Sequence, residues 1–184
     1  MVKVDIVFVT SNKDKVREAK MILKNSGIRL KVVPEELDEI QSLDVKVVAS
    51  YKARRAYEMT KMRIIVEDTG FFVECWNGFP GALAKHMQKA IGNDGITSMV
   101  SKSNRRAYSE TSVAYCDGHT TKVFSGRIEG SISDKARGAE GFGWDFIFIP
   151  KGEKRTFAEL GIAEKNKISA RGIAFRKLRD YLTK

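Results

Sequence analysis

The sequence predicts an α/β protein with a mixed β-sheet. Its first third alternates between strand-like and helix-like patterns, and its later part contains two long strand-like runs and a final helix. Together these two regions favour a mixed sheet with helices packed on it. With 184 residues, of which 42% are hydrophobic, the chain can bury an ample core. We expect a single domain over residues 1–184, because no repeat, low-complexity tract or linker interrupts it.

The first elements form a strand–helix–strand unit. An apolar run predicts a strand over 4–10, and apolar residues on one side of a helical pattern predict a helix over 13–25. Residues 29–33 predict a second strand. The acidic segment 34–44 is too broken for a core element and predicts a loop, which a helix over about 45–61 follows.

The middle of the chain predicts short elements joined by turns. "RIIVEDTGFFVEC" indicates two short strands around a turn at Asp68-Thr69-Gly70. "GFPGALAKHMQKAI" indicates a tight turn that leads into a helix, and a further helix is expected near 94–101. Two long strands are expected over about 106–116 and 120–130, with turn residues at Asp117-Gly118.

The last part of the chain contains a glycine-rich loop and a helix. "RGAEGFGWDFIFIP" predicts a loop that enters a strand. "AEKNKISARG", residues 163–172, predicts a cationic turn before the last helix, in which Lys165 and Arg171 flank Ser169. Ser169 is a good N-cap residue for that helix.

Charge and composition restrict the class of function. Lys and Arg outnumber Asp and Glu by 33 to 23, which gives a formal charge of +10 and favours polyanionic partners. The two cysteines, Cys75 and Cys116, have no metal-type spacing, which favours a reducing, cytoplasmic setting over a disulfide or zinc scaffold. No signal peptide and no membrane-spanning run is expected. With two histidines in the sequence, any metal is expected to be a hard cation held by carboxylates.

The junction of the first strand and the first helix is a candidate anion site. The strand ends at Thr10, and Ser11 and Asn12 can cap the helix or offer hydrogen bonds. Lys13 or Lys15 adds a full charge, although each cation in a first helical turn is disfavoured by ~0.3–1 kcal/mol unless an anion lies there. The segment lacks the P-loop pattern and by itself is equally typical of a surface helix.

Two other segments carry candidate chemistry. In "VEDTG", Glu67 and Asp68 end an apolar run, and a strand-end carboxylate can hold Mg²⁺ or orient a water. Glu39, in the acidic loop, could share that ion. "GFGWDFIF" suits base stacking and nearly matches an RNA-recognition submotif, but Glu140 and Asp145 stand where a basic and an aliphatic residue belong.

Taken together, the segments resemble the inosine triphosphate pyrophosphatases, which act on noncanonical purine nucleotides. "TSNKDK", "LDEIQ", "ASYKARRA", "VEDTG…GFPG", "RG…FGWD" and "AEKN.IS.R" occur in that family's order and spacing, over about residues 6–178. The resemblance implies a two-lobed α/β fold with a long mixed sheet and a nucleotide cleft between the lobes. It also implies a homodimer and a Mg²⁺-dependent, house-cleaning hydrolysis of ITP, dITP or XTP to the monophosphate and pyrophosphate, with no stable nucleic-acid partner and no membrane.

The resemblance also implies roles for particular residues. Glu39 and Asp68 are expected to hold Mg²⁺, with Asp68 also the base for the attacking water, and Thr69 is expected to contact substrate. The residues expected to hold the triphosphate are Thr10, Ser11, Asn12, Lys13, Asp14, Lys15, Lys52 and Lys85, among which Lys13 stands at a variable position and is expected to be solvated. The residues expected to enclose the purine are Phe142, Gly143, Trp144, Asp145, Lys165, Ala170 and Arg171.

The chain departs from the family pattern at two positions. The family usually has histidine where this chain has Ala170, and proline where it has Phe146. The first change removes an imidazole from the expected base pocket, so the preferred base is less secure than the reaction.

Two alternatives remain open from the sequence. An RNA-binding module is supported by the charge, and a salt-dependent gel shift without nucleotide hydrolysis would favour it. The second alternative is a pyrophosphatase that acts on modified pyrimidine nucleotides or on a broader range of substrates. A panel of substrates scored for pyrophosphate release would distinguish it from an enzyme that prefers noncanonical purines.

Overall fold

The computed structural model describes residues 4–184, so the first three residues of the predicted domain lie outside the described range. Its strands are β1 (Val4–Val9), β2 (Ile28–Val33), β3 (Ile64–Val73), β4 (Pro80–Gly81), β5 (Arg106–Cys116), β6 (Thr121–Ile132) and β7 (Phe148–Pro150). Its helices are α1 (Lys13–Ile22), α2 (Val45–Thr60), α3 (Ala84–Met99), α4 (Phe157–Ile168) and α5 (Ala170–Leu182). The predicted α/β class is therefore confirmed.

The strands form one mixed sheet in the order β2-β1-β3-β5-β6-β7, with the short strand β4 paired to β3. β1 pairs in parallel with β2 and with β3, as expected for βαβ connections. The pairs β3–β5, β5–β6 and β6–β7 are antiparallel. The parallel part thus comes from the alternating first third of the chain, and the antiparallel part from the later strands.

Three hydrophobic cores divide the molecule into two lobes. In β1, side chains alternate between the two faces of the sheet, so that Ile6 and Phe8 pack with α1 and α5 while Val7 and Val9 pack with α2. These two cores form the first lobe. The third core lies at the other end of β3, where Phe71 packs with residues of α3, α4 and β7.

The expected turn at Asp68-Thr69-Gly70 is wrong, because β3 continues through these residues. Each of them pairs with β5: Asp68 with Ser112, Thr69 with Thr111 and Gly70 with Glu110. Gly70 lets the backbone of β4 approach β3 closely and does not form a turn. A Cβ at Gly70 would lie 2.6 Å from the carbonyl carbon of Gly81 and closer still to its oxygen. Long-range pairing outweighs the local turn signal here.

Gly70→Ala is expected to destabilise the fold by about 3 kcal/mol, because the obstructing atoms belong to the backbone and cannot rotate away. The measurement is the urea midpoint at constant slope. Gly152→Ala is the matched control: its Cβ meets open space, so only its φ of +90° opposes the change, at about 1 kcal/mol. Equal midpoints for the two variants would contradict the steric explanation.

The expected cationic turn before the last helix is also wrong, because α4 occupies most of that segment and carries Lys165. Thr156 and Glu159 form a reciprocal capping box that starts α4, and Gly161, with a φ of 75°, interrupts it. Ser169 is confirmed as the N-cap of α5, since its side chain accepts a hydrogen bond from the Gly172 amide. Both helices therefore begin at sequence-encoded caps.

The helix expected within "GFPGALAKHMQKAI" and the helix expected near 94–101 are parts of a single interrupted helix, α3, which is broken at Gly92. None of the helices in residues 4–184 combines the length and apolar character needed to cross a membrane.

Candidate active site

A cleft with a volume of about 360 Å³ lies between the two lobes. Its walls come from the N-terminus of α1, the middle of β3, and the helices α2 to α5. The sequence-predicted residues that line it are Thr10, Ser11, Asn12, Asp14, Lys15, Glu39, Lys52, Asp68, Thr69, Lys85, Phe142, Gly143, Trp144, Asp145, Lys165, Ala170 and Arg171. Lys13 is the exception, since it is exposed and does not line the cleft.

Three lysines and two carboxylates gather at one end, which we name the lysine end. The Lys52 ammonium lies 2.5 Å from Glu39 and 3.6 Å from Asp68, so it links the two carboxylates. Lys15 lies 3.4 Å from Glu67, and Lys85 forms a mostly exposed pair with Glu36. The cations thus come from three different helices and converge on one side of the cleft.

Asn12 is the N-cap of α1. Its side-chain oxygen accepts hydrogen bonds from the amides of Asp14 and Lys15, at 2.9 and 3.1 Å. Two of the first-turn amides that could attract an anion are therefore already used. The positive charge of the lysine end comes mainly from its lysine side chains.

Asp68 is buried, and one of its carboxylate oxygens, Oδ2, has no hydrogen-bond partner among the described residues. Burial raises the pKa of Asp68 to about 6, although Lys15 and Lys52 act to lower it. A carboxylate with a free, buried oxygen is available to a ligand that faces the cleft. Within residues 4–184, no cluster of three or more metal-ligating side chains is present, so Asp68 and Glu39 would need further oxygen ligands to hold a cation.

Glu67, the neighbouring acid on β3, pairs with Arg171. The Nε and Nη2 atoms of Arg171 donate to the two carboxylate oxygens of Glu67 at 2.8 Å each, and the Thr69 hydroxyl donates to the same carboxylate at 2.6 Å. Burial alone would raise the pKa of Glu67, but Arg171 and Lys15 outweigh it and hold the pKa well below its ordinary value. Adjacent acids on β3 therefore differ in role, because one is fully paired and the other is not.

Glu18 does not line the cleft, but it pairs with two cations that do, and the sequence reasoning missed it. It is 1% exposed and accepts hydrogen bonds from Lys165, at 2.8 Å, and from Arg171. A signal was present: Glu18 lies three residues after Lys15 and beside Ala19, on the inward side of α1, where a charge requires a buried partner. We name the set Lys15, Glu18, Glu67, Asp145, Lys165 and Arg171 the buried ion network.

The other end of the cleft, which we name the aromatic end, is formed by Phe142 and Trp144. The Lys165 ammonium lies 2.5 Å from Asp145 and 4.7 Å from the centre of the Phe142 ring. Asp145 also accepts from the Phe142 amide at 3.0 Å, and burial raises the pKa of Asp145. The segment is a short 3₁₀ turn over Gly143–Phe146 rather than the start of an exposed RNA-binding strand.

Ala170 and Arg171 form the first turn of α5, which closes the cleft between its two ends. Ala170 is buried, and the neighbouring backbone leaves little space, since a Cβ on Gly126 of β6 would clash with the Ala170 carbonyl. The hydrogen bonds of Arg171 go to Glu67, Glu18 and Thr69. In this structure Arg171 therefore supports buried acids, and its predicted contact with a base stays a prediction.

The arrangement suits a ligand with an anionic tail and a planar head. The lysine end can neutralise several negative charges, and Asp68 can accept a proton or a cation. At the aromatic end, ring faces and fixed polar groups can hold a flat heterocycle.

Comparisons with known proteins agree over nearly the whole chain. The profile of the Ham1 family matches residues 6–181. A dITP/XTP pyrophosphatase of Methanopyrus kandleri is 42% identical over 178 residues, covering 96% of this chain and 95% of the relative. An inosine triphosphate pyrophosphatase of Kluyveromyces lactis is 40% identical over 190 residues, covering 99% and 97%. The solved structure of a HAM1 protein from Coxiella burnetii superposes with a TM-score of 0.84 at 27% identity, covering 98% of each chain.

Proposed function

The chain belongs to the Ham1 family, and we propose that it hydrolyses noncanonical purine nucleoside triphosphates, namely ITP, dITP and XTP, to the monophosphate and pyrophosphate. Such a reaction would remove deaminated purines from the nucleotide pool. The observation that carries the proposal is one cleft that has both a lysine end and an aromatic end, which match the two ends of a purine nucleoside triphosphate.

The proposed chemistry is attack of water on the α-phosphorus. A bond forms between the water oxygen and this phosphorus, the bond to the bridging oxygen of the β-phosphate breaks, and the water proton passes to Asp68. Lys15, Lys52 and Lys85 stabilise the negative charge that collects on the departing pyrophosphate. The pKa of about 6 for Asp68 supports a carboxylate that can accept a proton near neutral pH.

We propose that Glu39 and Asp68 hold Mg²⁺. The free Oδ2 atom of Asp68 and the nearby Glu39 carboxylate fit a hard cation, and two protein carboxylates plus phosphates and waters are a donor set that Mg²⁺ accepts. When bound, the ion would polarise the phosphate oxygens and help to neutralise their charge. Activity with Mg²⁺ and its loss in EDTA are the corresponding test.

We propose that hydrogen-bond donors in the cleft recognise the base. Lys165 has three N–H groups, and its ion pairs with Glu18 and Asp145 use two of them. The third can meet the 6-oxo group of hypoxanthine or xanthine, whereas the 6-amino group of adenine would leave it unpaired. Each such mismatch costs ~1–3 kcal/mol.

We expect kcat/KM for ITP and XTP to exceed that for ATP by about one to two decades per mismatch. Ala170→His is expected to improve KM for ITP if the added imidazole reaches the base. The measurement is a panel of ITP, XTP, GTP and ATP, together with modified pyrimidine triphosphates, scored for pyrophosphate release. Equal kcat/KM values for ITP and ATP in the wild type would refute the proposed recognition of the base but not the proposed hydrolysis.

We further propose a cytoplasmic homodimer. The free thiols of Cys75 and Cys116 are typical of a reducing compartment. The dimer rests on the family resemblance alone, and light scattering of the purified chain would test it.

A further inference from the structure

We propose that Gln88 and Asn93, both on α3, are positioning residues that fix the loop of the aromatic end in the shape that receives the purine. Both side-chain amides donate to the same acceptor, the carbonyl oxygen of Gly143, at 3.5 and 3.1 Å. This inference rests on the proposed function, because it assigns the base to that loop.

The position of the Gly143 carbonyl allows hydrogen bonds from α3 to fix the loop of the aromatic end. It lies between the two aromatic residues of the loop, Phe142 and Trp144, and Gly143 has a φ of +59° that favours glycine. The Trp144 ring packs on Phe71, with ring centres 5.2 Å apart. The bonds from α3 therefore secure a turn whose two neighbouring rings face the cleft.

The break in α3 supports a specific role for Asn93. Gly92 has φ 67° and ψ 177°, a conformation that essentially only glycine adopts, and it directly precedes Asn93. The Oδ1 atom of Asn93 is buried and lacks a hydrogen-bond partner among the described residues. An apolar side chain at this position would not bury an unpaired acceptor, so the acceptor does not explain why an amide is present. The N–H group of the amide does, because it donates to the Gly143 carbonyl oxygen.

The same helix contacts both ends of the cleft. Lys85 lies in the first turn of α3 and lines the lysine end, and Gln88 lies three residues later on the same side and lines the cleft towards Gly143. A shift of α3 on phosphate binding would thus move the support of the base loop. Loosening this support should weaken binding of the base and leave binding of the phosphates intact.

The test compares Gln88→Ala, Asn93→Ala and the double variant with Asn104→Ala, a matched change whose side chain only caps the start of β5. We expect the double variant to raise KM for ITP about five- to tenfold, since one hydrogen bond of ordinary length and one long, weaker bond are lost. Inhibition by inorganic tripolyphosphate, which has no base, should change less than twofold. Asn93→Leu, which keeps the approximate shape and loses the donor without adding a charge, should resemble Asn93→Ala.

A second readout does not depend on activity. In a Trp76→Phe background, Trp144 is the remaining tryptophan, and we expect acrylamide to quench its fluorescence more in the ligand-free double variant than in its parent. Unchanged quenching and unchanged KM would overturn the proposal, as would equal losses for ITP and tripolyphosphate. If the wild type fails to hydrolyse ITP but the quenching rises as expected, the proposed function fails while the role of α3 in holding the loop stands.

Discussion

Asp68→Asn is expected to lower kcat for ITP at least ~10²-fold, because the amide can neither take a proton from water nor offer a charged oxygen to a cation. The same change should not weaken the fold. Burial raises the pKa of Asp68 to about 6, so the folded state binds more protons than the unfolded state between about pH 4 and 6. Ionised Asp68 therefore destabilises the fold above this window, and the neutral asparagine should unfold at an equal or higher temperature without added metal.

The matched control is Asp38→Asn, an exposed change in the acidic loop that does not line the cleft. It should leave both kcat and the unfolding temperature unchanged. Glu67→Gln should affect chemistry less than Asp68→Asn, because Glu67 supports Arg171 rather than facing the free side of the cleft. Wild-type kcat in Asp68→Asn would remove Asp68 from the mechanism.

Arg171→Ala is expected to reduce the free energy of unfolding by about 3–5 kcal/mol, the cost of removing one partner from a buried ion pair. Arg171 is 5% exposed, and its removal takes one cationic partner from each of two buried acids, Glu67 and Glu18. Glu67 then keeps Lys15, and Glu18 keeps Lys165. For a chain of this size each kcal/mol corresponds to about 2–4 °C, so the unfolding temperature should fall by about 6–20 °C. Urea unfolding at constant slope is the measurement.

Arg55→Ala provides the comparison, because Arg55 forms an ion pair with Glu58 that is half exposed on both sides. Such pairs contribute about 0.2–1 kcal/mol, so this variant should remain close to the wild type. If the two arginine variants were equally stable, the buried ion network would not be a structural support. Arg171 would then be free to act mainly on the base, as the sequence resemblance implies.

Part of the candidate site was predictable from the sequence because its residues lie beside local signals. Thr10 to Lys15 follow the end of an apolar strand and begin a capped helix, and Asp68 follows a second apolar run. Local patterns of this kind fix where a side chain stands in its own element. The remaining site residues were predicted from the family resemblance, and the structure places all the predicted residues except Lys13 at one cleft.

The features that were missed depend on partners far away in the chain. Glu18 pairs with Lys165, 147 residues later, and a glutamate on a helix does not reveal such a partner locally. Gly70 was taken as a turn signal, although its meaning comes from the approach of Gly81 and from pairing with β5. The amides of Gln88 and Asn93 are likewise recognisable only once Gly143 lies beside them.

The central claim, that water attacks the α-phosphorus, is tested most directly by hydrolysing ITP in water labelled with ¹⁸O. The account predicts that the label appears in inosine monophosphate, with one unlabelled pyrophosphate released per turnover, because the new bond forms at the α-phosphorus. Label in the pyrophosphate, or stepwise release of labelled orthophosphate from the γ end, would contradict it.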